Sequence, residues 1–208
     1  MSTEKIAQKM GKGEKTKQKL FEAAAHLFGQ YEFNTVTVDT IVEAAGVAKG
    51  TFYIYFESKD ALIASFLSDY VNSIDEDYKA HLDSLSPGTT AHDMLLSLIS
   101  RIADTLTNTI GYHRMRNVYK IQLTRVLNMD AVKGYNRKLY QMFADVLGQG
   151  IERGEFITAL PLETLTKHFV MAIRGISYEW CIRYPDFDLK EQALTHFSLL
   201  LSAIETRK

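Results

Sequence analysis

The sequence predicts an all-helical protein on three observations. Apolar residues recur at three- and four-residue intervals along most of the chain, and runs of strict alternation, the mark of a half-buried strand, are not what dominates. Only three prolines are spread over 208 residues, which leaves room for long uninterrupted helices. Apolar residues make up 46% of the chain, enough to fill a substantial core and to exclude disorder throughout.

Residues 1–14 are polar, charged and glycine-containing with no apolar period, and they read as a flexible arm. From Lys15 to Tyr31, Leu20, Ala24, Leu27, Phe28 and Tyr31 keep helical spacing, and Glu32 to Asn34 form the turn after them. Thr37 or Asp39 caps a short helix whose inner positions are Val38, Ile41, Val42 and Ala45. Gly46 stops that helix, because glycine reaches the left-handed conformation at a helix end without steric cost. A second short helix begins at once, with Phe52 and Phe56 four residues apart on one inward stripe. Its outer side carries Ala48, Lys49, Thr51, Tyr53 and Tyr55. Small or hydroxylated residues with one cation are the mixture that meets base edges and phosphates together.

The stretch AGVAKGTFYIYFESKDAL resembles the helix-turn-helix of the TetR family of bacterial transcriptional regulators. The resemblance is closest from about Thr16 to Ile63, and the series Gly46, Gly50, Tyr53, Phe56 and Lys59 makes it specific. It implies an N-terminal three-helix DNA-binding domain at 15–60, joined by a long helix to a helical ligand-binding and dimerisation domain at 61–208. It also implies that Thr37, Ala48, Lys49, Gly50, Thr51, Tyr53, Tyr55 and Lys59 are the DNA-contacting set, with Thr37 and Lys59 on the backbone. Three positions depart from the family pattern: Val42 stands where a small Ala is usual, Tyr55 where His is common, and Ala48 where Ser is frequent. The side chains offered to DNA are therefore this chain's own.

Charge fits that reading only in part. The chain's formal net charge is −1, whereas a nucleic-acid binder usually shows a basic footprint. Residues 1–20 hold six Lys against two Glu, or +4, and residues 35–61 hold two Lys against four carboxylates, or −2. Phosphate contacts are thus expected from hydroxyls, helix N-termini and the lysine-rich arm, which either settles on DNA or stays a solvated tail.

Ser58 can cap the long helix, whose apolar set runs through Ala61, Leu62, Phe66, Leu67, Tyr70, Val71 and Ile74 and ends near Leu85, before Ser86-Pro87-Gly88. A helix is expected from Ala91 to Thr109, with Met94, Leu95, Leu98, Ile102 and Leu106 buried and Gly111 ending it. Others follow from Arg114 to Leu127 and from Asp130 to Arg153, the latter with Leu139, Met142, Phe143, Val146, Leu147 and Ile151 inside. Residues 148–156, GQGIERGEF, have neither the preceding strand nor the spacing of a phosphate-cradling loop. Gly154 reads instead as a helix C-cap, and the segment resembles the turn before the last two helices of TetR-type proteins. Those helices are expected at Leu162 to Tyr184 and Leu189 to Thr206. Their stripes, including Phe169, Ile173, Ile176 and Trp180 in the first and Phe197, Leu200, Leu201 and Ile204 in the second, carry enough apolar surface to expect a two-fold dimer built as a four-helix bundle.

Catalytic and metal chemistry is not expected. His26, His81, His92, His113, His168 and His196 are scattered, with no pair at metal-ligand spacing, so neither a metal nor a cofactor is called for. Cys181 is the single cysteine and reads as an inert buried thiol. The run Asp75-Glu76-Asp77 reads as a solvated helix face. No stretch reaches about 18 apolar residues and the lysine-rich start is not followed by an apolar block, so neither a membrane span nor a signal peptide is expected and the cytoplasm is the expected location. The family resemblance places a small-molecule pocket between the long linking helix and the helices after Pro87, for which Met94, Tyr112, Met115, Tyr119, Met142, Phe143 and Phe169 are candidate walls. Arg114, Arg116 and Arg174 are candidates to meet an anion if they face inward. The sequence therefore reads as a homodimeric repressor of a double-stranded DNA operator released by a small effector. The rivals are a helical enzyme or carrier that uses the N-terminal motif only for packing, and a non-specific architectural protein, which near-neutral charge disfavours.

Overall fold

The computed structural model describes residues 11–31, 35–124, 134 and 137–206. Among them the regular structure is helical, apart from one isolated bridge between Phe156 and Glu205. The helices are α1 (Lys12–Gln30), α2 (Val38–Ala45), α3 (Lys49–Tyr55), α4 (Lys59–Asp83), α5 (Ala91–Asp104), α6 (Tyr112–Thr124), α7 (Lys138–Glu152), α8 (Leu162–Arg183) and α9 (Leu189–Ser202). No helix among the described residues is long and apolar enough to cross a membrane.

The chain divides into two compact units, and the division falls inside α4, at Asp69. The first unit also takes in the end of α6 from Ile121. Helix α1 begins at Lys12, so residues 12–14 of the expected arm are helical, with Glu14 in the first turn where a carboxylate complements the helix dipole. Residues 1–10 and the expected turn at 32–34 lie outside the described residues. The core of this unit is aromatic: Phe21 meets Phe56 and Phe66 at ring separations of 5.5 and 5.7 Å, and Phe52 meets Phe56 at 5.8 Å. Leu20, Ile41, Phe52 and Leu62 close around these rings without exposure.

In the second unit α5, α7, α8 and α9 enclose Leu95, Leu98, Ile99, Phe143, Leu147, Phe169, Phe197 and Leu201. The α5 helix passes into a π-helical turn at Thr105–Ile110, where the hydroxyls of Thr105 and Thr107 each donate to a carbonyl four residues back, at 2.9 Å. Gly111, with φ 79°, then ends the run as expected. The helix expected from Asp130 starts at Lys138; Asp75 accepts from the Leu139 amide near that N-terminus, and residues 130–133 lie outside the described residues. The α9 helix stops at Ser202, short of the expected Thr206. The chain turns back there: the Ile157 amide donates to the Ile204 carbonyl at 2.7 Å and the Thr206 amide to the Glu155 carbonyl at 3.0 Å.

Two expectations are corrected by this packing. Phe169, Ile173, Trp180, Phe197 and Leu201, expected at a dimer face, are buried in the unit's own core, and Ile176, Leu200 and Ile204 are partly buried against it. The reason is that α8 packs on α7 and α9 on α5 through those stripes. The apolar surface left open is different: Met171, Tyr178 and Ile182 on α8 and Leu199 on α9. Nor is Asp75-Glu76-Asp77 a solvated face throughout. Asp75 is buried and takes three hydrogen bonds from Arg137, Glu76 pairs with Lys138, and Asp77 takes two from Arg101. The segment before α8 closes by steric fit. Gly150 is buried where an added Cβ would lie 2.3 Å from the Phe156 ring, and Glu155 Oε2 accepts from the Ala91 amide at 2.6 Å, capping α5 together with Thr90.

Candidate nucleic-acid interface

The α2–α3 pair is shaped by its ends. Thr37 caps α2 reciprocally with Thr40: each side-chain oxygen accepts from the other's backbone amide, at 3.2 and 3.0 Å. This satisfies two N-terminal amides that would otherwise lack partners. At the other end Gly46 takes φ 64°, ψ 38°, and the Val47 amide returns to the Val42 carbonyl at 3.0 Å. That double turn leaves only three residues between the end of α2 and the start of α3.

The inward side of α3 is as expected: Phe52 is 0% exposed and Phe56 is buried, and Phe52 packs edge-on to Tyr53 at 5.3 Å. The structure separates the expected contact residues into those free to meet a partner and those already engaged. Ala48 and Gly50 are exposed, Tyr53 is 52% exposed, and Thr51 is half-buried. Tyr55 is also half-buried, because its ring lies beside the first turn of α1, where a Cβ on Gly13 would be 3.3 Å from the hydroxyl. It therefore does not share the open flank with Tyr53.

Both lysines have intramolecular partners. Lys49 reaches back to Asp39 at 2.7 Å, and this hydrogen bond raises its pKa above the ordinary value, keeping the cation charged while occupying it. Lys59 donates to the Val36 carbonyl at 2.9 Å, which ties the start of α4 to the residue before the α2 cap. Burial lowers its pKa, the opposite of what a solvated phosphate-binding lysine would show. In each case the fold supplies the acceptor, the Asp39 carboxylate for Lys49 and the Val36 carbonyl for Lys59. One exposed residue was missed from the sequence. Ile54 is 76% exposed, and its position two residues after the inward Phe52 was the available signal.

A tight glycine-ended turn, a buried Phe52 and an open flank on α3 form a helix-turn-helix, and residues 20–66 match the family model for bacterial regulatory proteins, tetR family. The likeness of this chain to the tetR family rests on those residues. The chain is similar to the fatty acid metabolism regulator protein of Bacillus subtilis strain 168, at 25% identity over 195 residues that cover 90% of this chain and 95% of the relative. It is also similar to the HTH-type transcriptional repressor KstR2 of Mycolicibacterium smegmatis, at 23% identity over 167 residues covering 79% and 78%. Among solved structures it is similar to the transcriptional regulator FadR from Bacillus subtilis in complex with stearoyl-CoA, with a TM-score of 0.72, 23% identity, and coverage of 90% of this chain and 99% of that one. At that identity the likeness is one of fold.

The expected effector residues divide in the same way. Met142, Phe143 and Phe169 are closed into the core, whereas Met94, Tyr112, Met115 and Tyr119 are only partly buried against it. Tyr112 stacks on Tyr184 at 4.1 Å, and Trp180 meets both rings edge-on. The Tyr119 hydroxyl donates to the Arg174 carbonyl at 3.2 Å, and burial holds its pKa well above the ordinary tyrosine range. Burial also pushes the Cys181 thiol up to about 11, so it is protonated near neutrality. Arg114 and Arg116 are exposed, and Arg174 lies over the Tyr140 ring at 5.1 Å. Among the described residues, an arginine that nothing in the sequence singled out, Arg137, pairs with the buried carboxylate of Asp75.

Proposed function

We propose that the protein is a homodimeric transcriptional repressor whose two helix-turn-helix units occupy a pseudo-palindromic operator and release it when a small molecule binds the second unit. The observation that carries this reading is the α3 helix, held by Phe52 with its opposite flank open. A two-fold dimer would set two such helices in major grooves about 34–36 Å apart. The open apolar residues Met171, Tyr178 and Ile182 recur at helical spacing along α8, and with Leu199 they supply a self-complementary face for that dimer.

The effector class this reading favours is a fatty acyl-coenzyme A thioester. The support is the likeness to a fatty acid metabolism regulator and to a FadR bound to stearoyl-CoA, together with the partly buried Met94, Tyr112, Met115 and Tyr119 as apolar wall. The effector acts only through unequal affinity for the DNA-binding and released states. A hundredfold difference at each site corresponds to about 2.7 kcal/mol of coupling.

The test is a titration of stearoyl-CoA into the complex of full-length protein with a duplex enriched from a random-sequence library. Release by stearoyl-CoA with no effect of coenzyme A alone is the expected result. An enriched duplex that stays bound at saturating stearoyl-CoA would remove the effector assignment, and failure to enrich any duplex would remove the repressor reading itself.

A further inference from the structure

We propose that Ile54 reads sequence: with Gly50 it forms the ridge of α3 that enters the major groove most deeply, and its side chain packs on the 5-methyl group of thymine. This rests on the repressor reading above and adds to it a base-reading residue and the base it selects.

The placement follows from helical geometry. Successive residues turn by about 100°, so Gly50, two before the fully buried Phe52, and Ile54, two after it, both fall close to the direction opposite the core. Thr51 and Tyr53 lie on either side, with their hydroxyls positioned at the margins of that ridge. Ile54 is the most exposed large apolar residue among those described. A branched hydrocarbon side chain held in water at the centre of a helix's outer face contributes nothing to packing within the chain.

Gly50 supplies an independent observation. Its φ is not in the left-handed region, and an added Cβ would meet nothing within 4 Å. Neither backbone conformation nor packing inside the chain asks for glycine there, and alanine favours a helix more. A surface that comes close to the helix backbone from outside does ask for it.

The chemistry then selects the base. Ile54 can neither donate nor accept a hydrogen bond, so it cannot read the polar edges of guanine, cytosine or adenine. The one apolar feature on the floor of the major groove is the thymine methyl. The ridge is therefore close-approach backbone at Gly50 followed, one turn later, by a hydrocarbon knob that favours thymine at one position in each half-site.

The experiment uses full-length protein and the duplex enriched from a random library, with each thymine replaced in turn by uracil, which keeps the pairing and removes the methyl. Wild-type protein is expected to lose about fourfold in affinity per methyl at one symmetric position, and about fifteenfold when both half-sites are changed. Ile54→Ala is expected to erase that thymine–uracil difference at that position alone, with an unchanged melting temperature. Gly50→Ala is expected to melt at or above the wild-type temperature and yet bind the duplex at least about tenfold more weakly, as a methyl that holds the backbone off the groove would cause. An Ile54→Ala protein that still prefers thymine to uracil at every wild-type position, an enriched half-site without thymine, or a Gly50→Ala protein with wild-type affinity would overturn the assignment while leaving the repressor reading in place. A wild-type protein that enriches no duplex would overturn both.

Discussion

Arg137→Ala isolates the energetic role of the one buried ion pair described in the second unit. Asp75 is 1% exposed and Arg137 16%, and the guanidinium gives the carboxylate hydrogen bonds of 2.6, 3.0 and 3.0 Å. Among the described residues, the hydrogen bond that the carboxylate keeps after the substitution is the distant one from the Leu139 amide, at 3.4 Å. Leaving a buried charge without its partner costs about 3–5 kcal/mol, and for a chain of this length each kcal/mol moves the melting temperature by about 2–4 °C. The expected loss is therefore about 6–20 °C, read by circular dichroism at fixed protein concentration because the proposed dimer would contribute to the midpoint. The neighbouring carboxylates provide internal controls with the same charge and less burial. Lys138→Ala, which breaks the exposed pair with Glu76, is expected to leave the midpoint unchanged, and Arg101→Ala, which frees the exposed Asp77, to cost at most about 1 kcal/mol. Replacing the buried pair together, as Asp75→Leu with Arg137→Met, is expected to recover most of the loss. If Arg137→Ala costs no more than Arg101→Ala, burial is not what distinguishes the three pairs and the reasoning fails.

Three other outcomes follow from particular contacts. Gly150→Ala forces a Cβ to within 2.3 Å of the Phe156 ring and 2.8 Å of the Ala91 Cβ, an overpacking expected to cost about 1–3 kcal/mol in urea unfolding; a stability equal to wild type would mean that the Phe156 ring moves aside freely. Burial pushes the Tyr78 hydroxyl up to about 12 from 10.0, so the folded chain keeps a proton that the unfolded chain releases. That stabilisation, about 2–3 kcal/mol, is fully present below pH 10 and lost as pH rises toward 12, and Tyr78→Phe should flatten the decline in a pH series of unfolding curves. Lys59→Met removes the donor to the Val36 carbonyl and is expected to weaken DNA binding without altering its dependence on salt; a salt slope smaller by about one would show that Lys59 instead neutralises a phosphate.

The helices around the interface were legible because their signals are local. The Thr37 cap, Gly46 at φ 64° and the Phe52–Phe56 stripe each act within one turn of chain, and periodicity alone places them. What periodicity cannot tell is which of two apolar stripes on a helix is consumed inside the chain. The stripe of Phe169, Ile173 and Trp180 is the stronger one on α8 and went to the core, while the weaker set of Met171, Tyr178 and Ile182 stayed outside. Pairings across long stretches of sequence were equally unreadable. Asp75 and Arg137 are 62 residues apart, and nothing local distinguishes Asp75 from Glu76 or Asp77. The partners of the lysines were unreadable for the same reason, since a cation's partner is set by what the fold brings near it: Asp39 for Lys49 and the Val36 carbonyl for Lys59. Ile54 was readable from its distance to Phe52, but an apolar residue in a helix was assigned no role on the outer side.

The central claim is that two copies of the open α3 flank read one symmetric duplex. Sequencing the duplexes that full-length protein enriches from a random library, with the number of chains per duplex measured on the product, tests it most directly. The account predicts an inverted repeat whose half-sites are centred one helical turn, about 10 base pairs, or a whole multiple of it apart, carrying an even number of chains. Enrichment without symmetry, or one chain bound per duplex at saturation, would contradict it.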